Sequence, residues 1–418
     1  MKIRMLGAWV TEHLNLSFII ILFIWISFFP APIQQRYYLY TYIFLGAMFL
    51  ITFIQKQISL FKPGDFPLWL FLIMVGLNVL FAQKKDIALK TYLDLAIPLF
   101  TIYYIVPRGF SSGGKFNLLA KTICLSSIIV SLVAVLESLY AYNPIYEYVI
   151  ENPYYYRDSL FASLRPTSTQ FHSVVLGSYL LGCLPFNFTL FKQNKPYLRL
   201  LGSFGIVLNI AVIILVFSRG VLLGLIAAIT FYLFMQKKFR SIVIFFIIVV
   251  LFVLLCSHLP YPFDKFGKDQ MIMKNRGVFS DYRFTRGVMV WRIMKEHPLV
   301  GLGFQHFRIR FYEYAPSHDE VLYEFMIPDN MYLTFLAETG IMGTLGFFIL
   351  IFSLLKKALF HLKEIEDGDR RQRLLMPMVA WIGLLVNMAA YELFYWPNTY
   401  ILFCLLCALV KEMQENRA

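Results

Sequence analysis

Apolar residues run along this chain in stretches of membrane-spanning length, separated by short polar breaks. A bilayer core needs ~20 consecutive apolar residues in a helix. Such stretches lie near residues 14–29, 38–53, 66–81, 93–106, 117–140, 171–191, 198–217, 221–235, 241–259, 331–355, 374–393 and 399–410. They predict about twelve transmembrane helices. Residues 245–256 read FFIIVVLFVLLC, apolar on every face. That suits a helix surrounded by lipid and excludes a barrel strand, which would alternate. The expected fold is therefore an all-α polytopic membrane protein.

One polar interval breaks this rhythm. Residues 258–328 hold ten of the 38 Lys and Arg residues and form the one long water-accessible segment. Three regions follow: spans one to nine over 1–257, the large loop over 258–330, and the last three spans with the C-terminus over 331–418. Within the loop, Phe284, Val288, Trp291 and Met294 recur at helical spacing, which predicts an amphipathic helix over 283–296 with that apolar face packed on the membrane portion.

Composition agrees with the pattern. The chain is 59% hydrophobic and 15% charged, with a mean hydropathy of +0.65; soluble domains carry about 25% charged residues. The net charge of +13 would suggest nucleic acid in a soluble protein. Here most basic residues flank spans, so topology explains them and no nucleic-acid partner is inferred. With the N-terminus cytoplasmic, inside segments carry 20 Lys and Arg and short outside segments carry 7. This asymmetry puts both termini in the cytoplasm and the large loop in the periplasm. The first 32 residues mimic a secretory signal, but Glu12 and His13 spoil the pattern and predict an uncleaved first span. All five cysteines fall in apolar stretches, so Cys404-x-x-Cys407 reads as packing. No metal-ligand cluster and no cofactor motif is visible. Gly340, Gly343 and Gly346 share one helical face and suggest close helix packing.

The candidate chemistry lies in arginines near the outer span ends. Arg219 stands in Phe217-Ser218-Arg219-Gly220 between two spans, where a charge is costly unless it is paired, snorkelling or facing water. Arg165 precedes a span in Leu164-Arg165-Pro166-Thr167-Ser168-Thr169-Gln170, and Arg283 and Arg286 begin the loop helix. Singly, each could be a solvated charge. Glu137 and Glu392 are acids near outer span ends that could meet an arginine or an acceptor sugar, or simply reach water. Asp329, just ahead of a long helix, reads as its N-cap. His172 and His306 read as structural and His297 as setting a turn. Tyr154, Tyr155, Tyr156 and Trp396 could stack on sugars or form an interfacial belt.

Taken in order, these elements resemble the O-antigen ligase and O-antigen polymerase superfamily. The resemblance rests on Arg165, on Ser218-Arg219-Gly220, and on Trp291 through His297-Pro298-Leu299-Val300-Gly301-Leu302-Gly303 to Phe307. It continues through Asp329-Asn330-Met331-Tyr332-Leu333 and Ala337-Glu338-Thr339-Gly340. Asp329 departs from the pattern, since many ligases of the family carry a histidine there. The resemblance implies a GT-C-like fold and a metal-independent transferase in the bacterial inner membrane with its site on the periplasmic side. It would move an undecaprenyl-diphosphate-linked glycan to an acceptor sugar hydroxyl, with lipid A–core as the leading acceptor and membrane lipids around it. By the same resemblance Arg165, Arg219, Arg283 and Arg286 bind the diphosphate, Arg219 and Arg286 act in catalysis, and Asp329 or else His318 is the base. A polymerase of lipid-linked repeat units is the enzyme alternative. A flippase for lipid-linked sugars is the alternative of another class, though no paired half-structures support it.

Overall fold

The computed structural model describes residues 16–29, 38–54, 62–106, 113–140, 143, 165–258, 282–315, 326–365 and 368–415. No strand occurs among them. Each predicted apolar segment holds a helix: α1 Leu16–Phe28, α2 Tyr38–Ile54, α3 Phe66–Phe81, α4 Lys85–Ile105, α5 Gly113–Tyr140, α6 Ser173–Phe191, α7 Pro196–Leu215, α8 Arg219–Met235 and α9 Phe239–His258. The polar interval contributes α10, Tyr282–Glu296, and three helices follow: α11 Met331–Glu364, α12 Gly368–Asn387 and α13 Pro397–Glu415. Among the described residues, five helical segments are long and apolar enough to cross a membrane: 63–81, 114–140, 173–191, 196–215 and 331–364. Several others, such as α8, are apolar but shorter.

Helix packing uses small residues rather than hydrophobic surplus, as expected where lipid is as apolar as leucine. A Cβ on Gly202 would lie 2.4 Å from Phe191 N, so α7 rests directly on the end of α6. A Cβ on Gly224 would lie 2.5 Å from Gly383 O, which brings α8 and α12 to backbone contact. Buried α6 sits at the centre, touching α5, α7, α12 and α13. By contrast α9 leaves Ile244, Ile247, Val250, Leu251 and Leu254 exposed, the outcome expected of a helix apolar on every face.

Contacts between helix ends follow the alternation expected from charge. At one end Lys411 pairs with Asp65 at 2.9 Å, Lys357 Nζ donates to Gly64 O at 3.0 Å, and Arg371 Nη2 donates to Met235 O at 3.1 Å. At the other end Met331 N donates to Met388 O at 2.8 Å, and Lys84 N donates to His306 Nε2 at 2.8 Å. There, too, Asn398 Nδ2 donates to Gln170 Oε1 at 2.7 Å. The second end carries the polar interval and is called the Asp329 end below.

Two findings correct the sequence reading. First, Gly340 is a kink as well as a close-packing glycine: at φ 65° and ψ −166° it breaks the α11 ladder, and its close neighbour is the turn after α10, a notional Cβ lying 2.4 Å from Leu299 O. The backbone groups of the kink pair with the turn after α10, through Leu302 N to Ala337 O and Gly303 N to Glu338 O, both 2.9 Å. Ile341 N to Pro298 O at 2.9 Å and Met342 N to Leu299 O at 3.1 Å complete the clasp. Gly346 does pack closely, with a notional Cβ 3.2 Å from Phe71 Cα on α3. Second, α10 buries a different face. Phe284 and Trp291 are 47% and 64% exposed, whereas Arg286, Met289, Val290 and Ile293 are buried. Met289, Val290 and Ile293 pack with Leu302, Phe307, Phe311 and Tyr314 into a small second core. The buried stripe still follows i, i+3, i+4, i+7 spacing; it begins with an arginine.

Candidate functional site

Burying Arg286 on that stripe demands a counter-charge. Asp329 supplies it, with Arg286 Nη1 2.9 Å from Asp329 Oδ2. The arginine side chain is 0% exposed and the carboxylate 15%, so the pair lies at the boundary between protein and solvent. Asp329 adopts a left-handed φ of 53°, a conformation that short polar side chains tolerate. It does not cap α11. That role belongs to Asn330, whose Oδ1 accepts from Tyr332 N at 3.0 Å and Leu333 N at 3.2 Å. Asp329 is thus held by Arg286 rather than by the helix terminus it precedes. Arg283, one turn earlier on α10, is exposed.

A second layer of buried acid backs this pair. Glu392 is 2% exposed, takes a hydrogen bond from Thr334 Oγ1, and lies within electrostatic reach of Asp329, Glu338 and Arg286. Burial, reinforced by the neighbouring carboxylates Glu338 and Asp329, pushes its carboxyl up to about 8. Glu338 in turn accepts from Tyr395 Oη and from Phe307 N at 3.4 Å. The sequence reading left Glu392 open and gave Glu338 no chemical role. No local pattern could have joined them, because Thr334 and Glu392 lie far apart in the chain.

The remaining predicted groups flank this cluster. His172 caps α6 by accepting from Val174 N at 3.2 Å, and its ring stacks on Tyr391 at 5.1 Å. Burial and the Arg165 charge pull its imidazole down to about 4, so it is neutral near pH 7. Arg165 itself donates from Nε to Val216 O at 2.7 Å and from Nη2 to Phe217 O at 2.6 Å, closing the carbonyl end of α7. The loop that presents Arg165 is clamped by Glu137, which accepts from Thr167 N at 3.0 Å and Ser168 N at 2.6 Å. Both open acids of the sequence reading therefore meet polar partners. Arg219 is exposed at the first position of α8, two residues beyond the Phe217 carbonyl that Arg165 holds.

Each residue of Ser218-Arg219-Gly220 now has a physical reason. Ser218 accepts from Val221 N as the N-cap, and Arg219 projects outward. Gly220 is required because a Cβ there would lie 2.5 Å from Ala390 Cβ and 2.8 Å from Asn387 Oδ1. Residues 204–348, roughly a third of the chain, match the family model described as O-antigen ligase. That segment is similar to the O-antigen ligase superfamily. No curated protein matches the chain. The O-antigen ligase match contains Arg219, Arg283, Arg286 and Asp329, while Arg165 lies ahead of it. Within that segment the Pro-Leu-x-Gly-x-Gly turn and the Glu-x-Gly kink are the two halves of one clasp, and the clasp fixes α10 over the start of α11. His318 and Tyr154–Tyr156 lie outside the described residues, as do the N-terminal residues 1–15. His306 is buried and structural, accepting from Lys84 N at 2.8 Å. Among the described residues no group of His, Cys, Asp and Glu could hold a metal ion.

Proposed function

We propose that this protein is a glycosyltransferase of the bacterial inner membrane that moves a glycan from undecaprenyl diphosphate to an acceptor sugar hydroxyl, with lipid A–core as the acceptor. The Asp329 end would face the periplasm, where positive charge is sparse in the short loops. The observation that carries the reading is the Arg286–Asp329 pair, buried on one side and open on the other, inside the segment that matches O-antigen ligases.

In the proposed reaction the acceptor oxygen attacks the anomeric carbon and its proton passes to Asp329. The bond from that carbon to the diphosphate oxygen breaks, and the lipid diphosphate leaves with the electron pair. Arg286 holds the Asp329 carboxylate in one orientation, which suits a group that must accept a proton from a fixed direction. Arg219 opens α8 at the α7–α8 turn, and the Arg165 side chain reaches that turn from the segment before α6; guanidinium groups there would offset the growing charge on the leaving oxygen. Arg283, exposed one turn from Arg286, would extend that field toward the diphosphate. An exposed Arg219 beside apolar α8 suits a donor whose tail stays in lipid while its headgroup meets the arginine.

Reconstitution of the purified chain with a lipid-linked glycan tests this. Product on lipid A–core supports the ligase reading, and product only on a second lipid-linked repeat makes the protein a polymerase. Lipid-linked glycan that changes leaflet with no product would refute transfer altogether.

A further inference from the structure

Beside the Arg286–Asp329 pair the same end of the bundle encloses a cavity of about 410 Å³. This volume lies within the ~300–1,000 Å³ range of small-molecule sites. Its walls come from α2, α4, the start of α11, the 304–305 turn and the segment entering α13. The polar lining is mixed in kind: Lys90, Asp94, Tyr42, Thr334, Glu338 and Tyr395. Tyr42 donates its hydroxyl to Asp94, and Tyr395 donates to Glu338, so each carboxylate is held in a fixed orientation. Phe304, Phe335 and Phe394 add apolar surface.

This lining selects among ligand classes. Two carboxylates against one ammonium disfavour a phosphate or diphosphate. A lipid tail would strip water from both acids and return no hydrogen bond. A divalent cation would want a tighter acid cluster, and none is present among the described residues. A neutral sugar satisfies the whole set, because its hydroxyls donate to the carboxylates and to the tyrosine oxygens and accept from lysine while its C–H face rests on aromatic rings. The cavity also shares a wall with the candidate site. Thr334 lines it and donates to Glu392, which lies within reach of both Glu338 and Asp329.

We propose that this cavity binds a neutral sugar unit of the acceptor glycan beside the Arg286–Asp329 pair. The assignment to the acceptor rests on the transferase reading above; the match of the cavity to a sugar does not. Thr91 lines the cavity and its hydroxyl bonds back to Ile87 O at 3.0 Å, so Thr91→Phe fills the space and Thr91→Val leaves it.

The test uses the full chain in lipid nanodiscs, with free hexoses and N-acetylhexosamines as probes in saturation-transfer NMR. Wild type and Thr91→Val should bind. Thr91→Phe should lose the signal, and Asp94→Asn should weaken binding about tenfold, the effect of one hydrogen bond to a charged group. In the transfer assay the same two variants should raise KM for the acceptor and leave KM for the lipid-linked donor unchanged. Absence of sugar binding to wild type, equal binding by Thr91→Phe, or a raised KM for the donor alone would overturn the proposal. Wild type that binds sugar in this cavity yet transfers no glycan would instead refute the transferase reading and uphold the sugar site.

Discussion

The two ends of the helix bundle each bury an ion pair, and they treat it in opposite ways. At one end Lys411 and Asp65 are 7% and 1% exposed, the carboxylate also takes Tyr104 Oη at 3.0 Å, and the ammonium lies 3.8 Å from the Tyr103 ring. Packing on every side closes that pair off. At the other end Arg286 is fully buried, but Asp329 keeps 15% exposure, sits on a left-handed backbone, and is backed by Glu392 and a cavity. Buried charge therefore does not by itself mark a site. What distinguishes the Asp329 end is a charge held rigidly on one side and open on the other, with further acids behind it.

The largest expected effect separates the ends through activity. Asp329→Asn keeps the shape of the side chain and spares the α11 cap, which Asn330 provides. Loss of a positioned base costs about 10²–10⁴ in turnover. Because it strands the buried Arg286 charge, the variant should melt lower; per folded molecule it should still bind lipid-linked donor yet turn over slowly, and normal turnover per folded molecule would leave Asp329 no part in proton transfer.

Lys411→Met should spare turnover. Removing one partner of a buried pair costs about 3–5 kcal/mol, because the remaining charge is stranded. Melting in detergent should drop sharply while turnover per folded molecule holds. Adding Asp65→Asn should restore part of the loss, since the stranded carboxylate is then gone. A Lys411→Met protein as stable as wild type would show that the closed pair contributes little.

The same contrast explains what could be read from the chain alone. All twelve apolar segments were legible as helices because a bilayer-length run of Leu, Ile, Phe and Val leaves the backbone few options. Their alternation was legible from charge. The buried face of α10 was not, since a periodicity argument scores Arg286 as polar and Phe284 and Trp291 as core. The counter-charge that reverses this comes from Asp329, which belongs to the start of another helix. Gly340 looked like its neighbours Gly343 and Gly346 because the sign of φ is not written in glycine spacing. Asp329 itself had two readings, and the geometry of Asn330 removes the N-cap one.

The clasp that carries α10 gives a smaller effect and an internal control. Gly340→Ala would put a Cβ 2.4 Å from Leu299 O on a backbone with φ +65°, and such strain costs about 1–3 kcal/mol. Gly287, inside α10, has nothing within 4 Å of a notional Cβ. Gly287→Ala should therefore leave stability unchanged or raise it by about 0.5–1 kcal/mol, the usual gain on replacing a helical glycine. Equal melting temperatures for the two variants would mean that the clasp does not hold the Asp329 end together.

The smallest effect is a pH dependence confined to that end. Glu392 is pushed from 4.5 to about 8 by burial, so between these values the folded chain holds a proton that the unfolded chain releases. Its contribution therefore falls as pH rises through that window. His172 is pulled from 6.5 to about 4, so over that lower window the unfolded chain binds the extra proton and stability rises with pH. The two oppose each other between pH 4.5 and 6.5. Of these two, Glu392 alone still titrates between pH 6.5 and 8. Wild type should lose a few degrees of melting temperature across that upper interval. Glu392→Gln should not, while His172→Gln should leave the upper slope intact and extend the fall down to about pH 4.5, where the His172 contribution no longer offsets it. An upper slope that survives in Glu392→Gln would place the titrating group elsewhere and would remove the acid layer that sets the Asp329 end apart from the Lys411 end.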